Sequence, residues 1–268
     1  FRDKPKREEM VDSFLQMADL KTPKAEKDVV AYAVKGTRLT PYSSCVIMGT
    51  MSAKKVVEAA HSAGCTVTEL PIGERRPLGG FDLFFVGGGQ DFEQGLLLED
   101  LRGGKGADIR AAAEDGAAFL CVCGGYQLMG HYYDTAAGVR CAGVDVLDLT
   151  TEGAEERMIG NFAFETEFGS VVGFENHSGR TRLGPNAKPL GRVLRGFGNN
   201  GEDGGEGARY KNVFGTYSHG PVLPKNPDFC DGILLAALRR RYGDAELEPL
   251  PDRSEREAHD TVLSRLLG

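Results

Sequence analysis

The sequence predicts an α/β protein: a mainly parallel sheet with flanking helices and a few added antiparallel strands. Two observations carry the prediction. From Cys45 onward, short apolar runs alternate with helical patterns, the rhythm of βαβ units. Two of those runs also stop at glycines, Phe81 to Val86 before Gly87-Gly88-Gly89 and Ala117 to Val122 before Cys123-Gly124-Gly125. Ligands of open α/β sheets bind beyond the carboxyl ends of the strands, so these two glycine turns are expected to lie side by side.

Taken in order, residues 1–44 are rich in Lys, Asp and Glu, and Met10, Val11, Phe14, Leu15 and Met17 suit one short amphipathic helix. Cys45 to Met48 reads as a strand, Ala53 to Ala63 as a helix and Thr66 to Leu70 as the next strand. Phe81 to Val86 is a third strand, Asp108 to Glu114 a helix and Ala117 to Val122 a fourth strand. Residues 158–174 alternate apolar and polar around Phe162, Phe164, Phe168 and Val172, which predicts antiparallel strands added to the sheet. Phe197 to Gly207 reads as a polar, glycine-rich loop, Val213 to Tyr217 as a last core strand and Asp231 to Tyr242 as a helix. The expected division is an N-terminal segment over 1–44, one catalytic domain over 45–245, and a tail over 246–268 with a helical end.

Composition narrows the function. At 268 residues the chain can bury a core without disulfides or structural metal. Its net charge of −7 argues against binding nucleic acid, because phosphate backbones are held by concentrated Lys and Arg. No apolar run approaches the roughly 20 residues that span a bilayer, and no basic patch precedes an apolar stretch at the N-terminus, so a cytoplasmic protein without membrane insertion is expected. The six cysteines include one C-x-C and no C-x-x-C, which indicates neither a zinc site nor a disulfide framework. Attention passes to a reactive thiol.

Cys123 stands between an apolar strand and a helix, with two glycines in the turn, as in a nucleophile elbow. Gly124 and Gly125 permit backbone angles that a side chain resists and let a substrate approach. A helix N-terminus beneath the sulfur is expected to favour the thiolate, bringing the thiol below its free pKa of about 8.5. The competing reading is a buried core cysteine, the commoner fate of a thiol on an apolar strand; Cys121 and the remaining four cysteines are read that way. A cysteine nucleophile needs a base. Of the five histidines, His61, His131 and His259 fall in helical patterns, whereas His219 follows the apolar strand VFGTYS and precedes Gly220-Pro221. His219 is the better base, and His177, in a loop after a strand, is the second candidate.

Four motifs, CGGYQLMG from Cys123, VGGGQD from Val86, GFENHSGRT from Gly173 and GTYSHGPVLPKNP from Gly215, together resemble the CobB/CobQ-like (cobyric acid synthase) branch of the class I glutamine amidotransferases. Within that branch they resemble the GatD-type glutaminase subunits of lipid II isoglutaminyl synthases, over about residues 65–238. The resemblance implies a flavodoxin-like class I glutamine amidotransferase fold in which Cys123 attacks the carboxamide of L-glutamine, His219 serves as base, and a glutamyl thioester yields glutamate and ammonia. It implies that Gly88, Gly89 and Gly124 hold the oxyanion, that Gln127 contacts substrate and that Arg157 selects glutamine; from sequence alone Arg157 also fits a solvated surface charge. Two places depart from the common pattern. Gly220-Pro221 follows His219, so no acid stands two residues after the base, and the first βα turn reads CVIMGTMSAKK in place of an Asp-x-Gly-Asn-like turn.

Amidating a carboxylate requires activation, and the chain holds no G-x-x-x-x-G-K-[ST] phosphate loop. No cofactor is expected here. The resemblance implies a Mur-ligase-like synthetase subunit carrying ATP and a divalent metal, which receives the ammonia and amidates the D-glutamate of lipid II at the cytoplasmic face of the membrane, while an aspartate of that subunit completes the triad. Three rivals stay open: an amidotransferase for another acceptor such as a corrinoid side-chain acid, a non-catalytic glutamine-binding or scaffold subunit, and a cysteine hydrolase acting on peptides.

Overall fold

A computed structural model describes residues 44–48, 66–70, 73–87, 100–219, 222–247 and 251–268. The expected helix over 53–63, the first βα turn and most of the N-terminal segment lie outside the described residues. In chain order the strands are β1 (Ser44–Met48), β2 (Thr66–Glu69), β3 (Leu83–Val86), β4 (Ala118–Val122), β5 (Tyr132–Asp134), β6 (Arg140–Ala142), β7 (Leu149–Thr166), β8 (Gly169–Leu183), β9 (Gly191–Arg195), β10 (Gly205–Glu206), β11 (Ala208–Tyr210) and β12 (Val213–Thr216). The helices are α1 (Gly106–Glu114), α2 (Gly124–Leu128), α3 (Pro227–Tyr242) and α4 (Arg253–Leu267).

The first sheet has the order β11-β12-β4-β3-β1-β2, parallel except for the edge strand β11. β4 sits in its middle and every residue of that strand is buried, as a strand covered on both faces must be. Phe84 of β3 stacks on Phe119 of β4 with ring centroids 4.3 Å apart. Burying each such ring contributes on the order of 2–3 kcal/mol. On the other face Phe214 of β12 meets Phe229 of α3 edge-on at 6.2 Å. α3 begins at Pro227, four residues before its expected start, because proline suits the first helical turn. Its far end is tied to the loop before β3 by Arg240 and Arg241, which pair with Asp82 at 3.1 and 2.6 Å.

The antiparallel strands expected as additions to this sheet instead build a second one. β7 and β8 form a long hairpin, β9 and β5 pair with β7, and β6 and β10 complete the edges. The reason is visible on β8, where Gly173, Glu175, His177, Gly179 and Thr181 alternate to one buried face. That face lies across the carboxyl end of β12: a Cβ on Gly173 would fall 2.0 Å from the Ser218 hydroxyl, and one on Gly179 would fall 2.4 Å from the Gln127 amide nitrogen. The hairpin therefore caps the first sheet where a ligand is expected, and does not extend its edge. Near the C-terminus α4 docks on the hairpin through His259, whose Nε2 lies 3.0 Å from the Ser170 hydroxyl.

Candidate active site

Cys123 ends β4 with φ 52° and ψ −111°, one of three non-glycine residues with positive φ among those described. A side chain at such angles is strained by about 1–3 kcal/mol and is held there only by its surroundings. Here the surroundings are explicit. The Cys123 N–H donates to the Thr216 carbonyl at 2.9 Å, and the Cys123 carbonyl accepts the Gln127 N–H at 3.0 Å in the first turn of α2. A Cβ on Gly125 would lie 2.3 Å from the Val86 carbonyl oxygen and 2.8 Å from that of Gly87, so only glycine lets the elbow meet the end of β3. The two glycine turns thus adjoin at Gly87; Gly88 and Gly89 lie outside the described residues.

His219 stands three residues beyond the end of β12, the neighbour of β4. Its N–H donates to the Phe174 carbonyl at 2.8 Å, which fastens this residue to β8. Its Nε2 is buried and finds no hydrogen-bond partner among the described residues. Cys123 and His219 therefore issue from the carboxyl ends of adjacent parallel strands. His131 is not helical: it follows α2 in a bend, with its two ring nitrogens 2.8 Å from Asp145 and 2.9 Å from Asp148. His61 lies outside the described residues, and His259 is in α4.

Electrostatics overturn one expectation. Burial pushes the Cys123 thiol up to about 11, against the pull of the Gly124 N–H and of Arg157, and with the Glu206 carboxylate pushing the same way as burial. Desolvation disfavours a thiolate more than one short helical turn favours it. Burial also lowers the His219 pKa, aided by His177 and Arg157, with no carboxylate of the described residues among the causes. Burial thus favours the neutral form of both the Cys123 thiol and the His219 imidazole.

Arg157, on β7, is exposed and lies against Asn176 of β8, its Nε donating to Oδ1 at 2.9 Å and Nη2 to the carbonyl at 3.0 Å. Its charge acts on both Cys123 and His219, so it borders the site. Gln127 is 4% exposed and turned inward, its amide donating to the Tyr217 hydroxyl at 3.1 Å. That bond ties α2 to the residue just beyond β12. His177 is neither in a loop nor at the surface. It sits on β8, 2% exposed, stacked on Tyr217 with ring centroids 3.5 Å apart, its Nδ1 2.9 Å from the Gly179 carbonyl. A carbonyl only accepts, so Nδ1 carries a proton, while Nε2 is buried without a hydrogen-bond partner among the described residues, 3.8 Å from the Glu175 carboxylate.

Sequence reasoning missed Glu206. The loop over 197–207 was expected to be solvated, yet Asn199 and Glu206 are fully buried. Positive-φ glycines at 198, 201, 204 and 207 fold it back on itself, and β10 within it pairs with β9. The available signal was an acidic residue flanked by glycines just before an apolar strand. Among the described residues, no three His, Cys, Asp or Glu side chains come together to hold a metal ion, and no helix is long and apolar enough to cross a membrane. A cleft of about 1000 Å³ lined by Phe168, Arg209, Asp231 and Arg239 includes neither Cys123 nor His219.

Comparison with known proteins places this geometry. The model of the CobB/CobQ-like glutamine amidotransferase domain matches residues 60–227. The chain is 42% identical over 185 residues to the lipid II isoglutaminyl synthase (glutamine-hydrolyzing) subunit GatD of Staphylococcus aureus, covering 69% of this chain and 75% of that one. It is 43% identical over 176 residues to the subunit of the same name from Streptococcus pneumoniae, covering 64% and 67%. Among solved structures, PurLQS from Thermotoga maritima matches with a TM-score of 0.50 at 13% identity, over 83% of this chain and 99% of that one, which speaks to fold alone.

Proposed function

We propose that Cys123 and His219 are the hydrolytic pair of this chain, which belongs to the CobB/CobQ-like glutamine amidotransferase family. The chain is a glutamine-hydrolysing enzyme subunit. The observation that carries the residue assignment is the elbow: a cysteine at φ 52° at the end of β4, hydrogen-bonded to the strand that delivers His219.

In this reading the proton on the Cys123 sulfur passes to the imidazole of His219 as the sulfur attacks the side-chain carboxamide carbon of L-glutamine. The oxyanion so formed takes the N–H of Gly124, and the loop that carries Gly88 and Gly89 supplies the second donor. Collapse breaks the C–N bond, the imidazolium gives its proton to the departing nitrogen, and ammonia leaves a glutamyl thioester. Water, deprotonated by the same imidazole, then releases glutamate and restores the thiol. Arg157, at the rim, suits the α-carboxylate of glutamine, and its charge also favours the thiolate.

The ammonia goes to a partner. The names of the relatives support lipid II isoglutaminyl synthesis as the process, and we assign the acceptor chemistry to a Mur-ligase-like synthetase that uses ATP and a divalent metal to activate the D-glutamate carboxylate of lipid II. A His219 whose shift has no carboxylate among its causes from the described residues suits a subunit whose third catalytic group comes from that synthetase. The decisive experiment measures glutamate release from L-glutamine by the wild-type chain, Cys123→Ala and His219→Ala, with and without the synthetase and lipid II. Turnover by wild type that rises with the synthetase and is lost in both variants is expected; a wild type inactive even in the complex would overturn the assignment.

A further inference from the structure

All four buried side-chain atoms without a hydrogen-bond partner among the described residues surround one short segment: His177 Nε2, Glu206 Oε2, Ser218 Oγ and His219 Nε2. The segment is residues 216–219, from the last residue of β12 to His219. Glu206 is its anchor. Oε1 of that carboxylate accepts the Thr216 hydroxyl at 2.7 Å and the Tyr217 N–H at 2.8 Å, while the Thr216 hydroxyl accepts the Ser218 N–H at 2.9 Å. The Thr216 carbonyl in turn accepts the N–H of Cys123. One carboxylate thus lies two hydrogen bonds from the nucleophile and holds the strand end that delivers the base.

We propose that Glu206 is a positioning residue of this active site, whose buried carboxylate clamps the end of β12 and places a negative charge within electrostatic reach of the Cys123 sulfur. The proposal rests on Cys123 being the nucleophile. A structural clamp alone needs only a neutral acceptor, so the charge is the telling feature. Around Glu206 stand Glu175 on β8, Tyr126 on α2, Tyr217 beyond β12 and Cys123 at the elbow; among the described residues no cation is one of the groups that act on it most strongly. Burial raises this carboxyl to about 7, opposed by the Thr216 hydroxyl and the Tyr217 N–H and assisted by Glu175. Near neutral pH the group is therefore divided between a charged form that opposes the thiolate and a neutral form that does not. The thiol would ionise more readily when Glu206 holds its proton.

The test is the pH profile of Cys123 alkylation by iodoacetamide in the full chain, read by peptide mass spectrometry for wild type, Glu206→Gln and Thr216→Val. The Gln variant keeps an acceptor oxygen and removes the charge. Its rate relative to wild type is expected to be close to one at about pH 5.5, where the native carboxyl is neutral, and to climb to roughly tenfold by about pH 9. A ratio that stays constant across pH, or a variant slower at high pH, overturns the proposal, since lost packing alone has no reason to follow the titration of one carboxyl. Thr216→Val provides a second route if the Gln variant does not fold. Without the hydroxyl that favours the anion, the inflection in the alkylation profile should move to higher pH, and an unmoved inflection overturns the proposal as well. Glutamine turnover is not part of the readout, so persistent glutaminase activity in Cys123→Ala would sink the functional reading without touching this result.

Discussion

The amide of Cys123 donates to the carbonyl of Thr216 across 2.9 Å, so the strand that presents the thiol is hydrogen-bonded at its last residue to the strand that presents His219. Parallel pairing continues from Val213–Phe119 through Thr216–Val122, and the register sets Cys123 at the very end of the ladder. From there His219 is anchored a second time, by its own N–H on Phe174 of the hairpin.

Thiol reactivity should be selective. Cys121 and Cys230 are wholly buried, burial raising the first far above the usual thiol range and the second to about 12, whereas Cys123 is partly open. A glutamine analogue with an electrophilic diazo-ketone side chain should label Cys123 alone of these three. Labelling should quicken as pH rises toward the raised pKa of about 11, because the thiolate is the reacting form. Peptide mapping that found the label on Cys121 would move the nucleophile.

Gly125→Ala should break the elbow. The new Cβ would stand 2.3 Å from the Val86 carbonyl oxygen, a backbone atom at the end of a central strand. Relief requires the turn or β3 to shift, at a cost of roughly 2–4 kcal/mol. A lower unfolding midpoint together with loss of Cys123 labelling is expected; unchanged behaviour in both would show that the turn is more compliant than its contacts indicate.

Arg157→Ala should act on binding more than on the chemical step. Losing a carboxylate partner at the rim costs about 1–2 kcal/mol, a rise of roughly tenfold in KM for glutamine. Because Arg157 also favours the thiolate, alkylation of Cys123 should shift to higher pH in the same variant. Asn176→Ala, which frees the guanidinium from its hydrogen bonds, should raise KM less. Steady-state kinetics with an unchanged KM in Arg157→Ala would remove the residue from substrate recognition.

Glu206 also predicts a pH dependence of stability. Its folded pKa of about 7 lies above the ordinary 4.5, so between those values the folded chain holds a proton that the unfolded chain releases. Its contribution is fully present below about pH 4.5 and is lost as pH rises through 7. The loss is on the order of 3 kcal/mol. Glu206→Gln should therefore gain thermal stability relative to wild type as pH rises from about 5 to about 9, by several degrees at the upper end. Melting curves at the two pH values that move in parallel for both proteins would contradict this.

Much of the fold was legible because strands of a parallel sheet are local apolar runs, and their order of appearance carries the βαβ rhythm. The runs Phe81 to Val86 and Ala117 to Val122 became β3 and β4 within two residues at either end. Cys123 and His219 were legible for the same reason: each ends such a run, and the carboxyl ends of parallel strands converge on one edge.

What the residues alone determined was therefore the central sheet, the elbow with its glycines, and the two chemical groups delivered to one edge. The tertiary structure decided the rest: that β7 and β8 form a separate sheet capping this edge, that Gln127 turns inward, that His177 is buried against Tyr217, and that Glu206 lies beneath the end of β12. It also reversed the expected acidity of the Cys123 thiol. Each of these depends on burial, and burial of a polar side chain is set by partners far away in sequence. A glycine-rich acidic loop reads the same whether solvated or folded under a strand; only the packing of β8, β10 and β12 around residues 216–219 withdraws Glu206 from water and gives its charge reach.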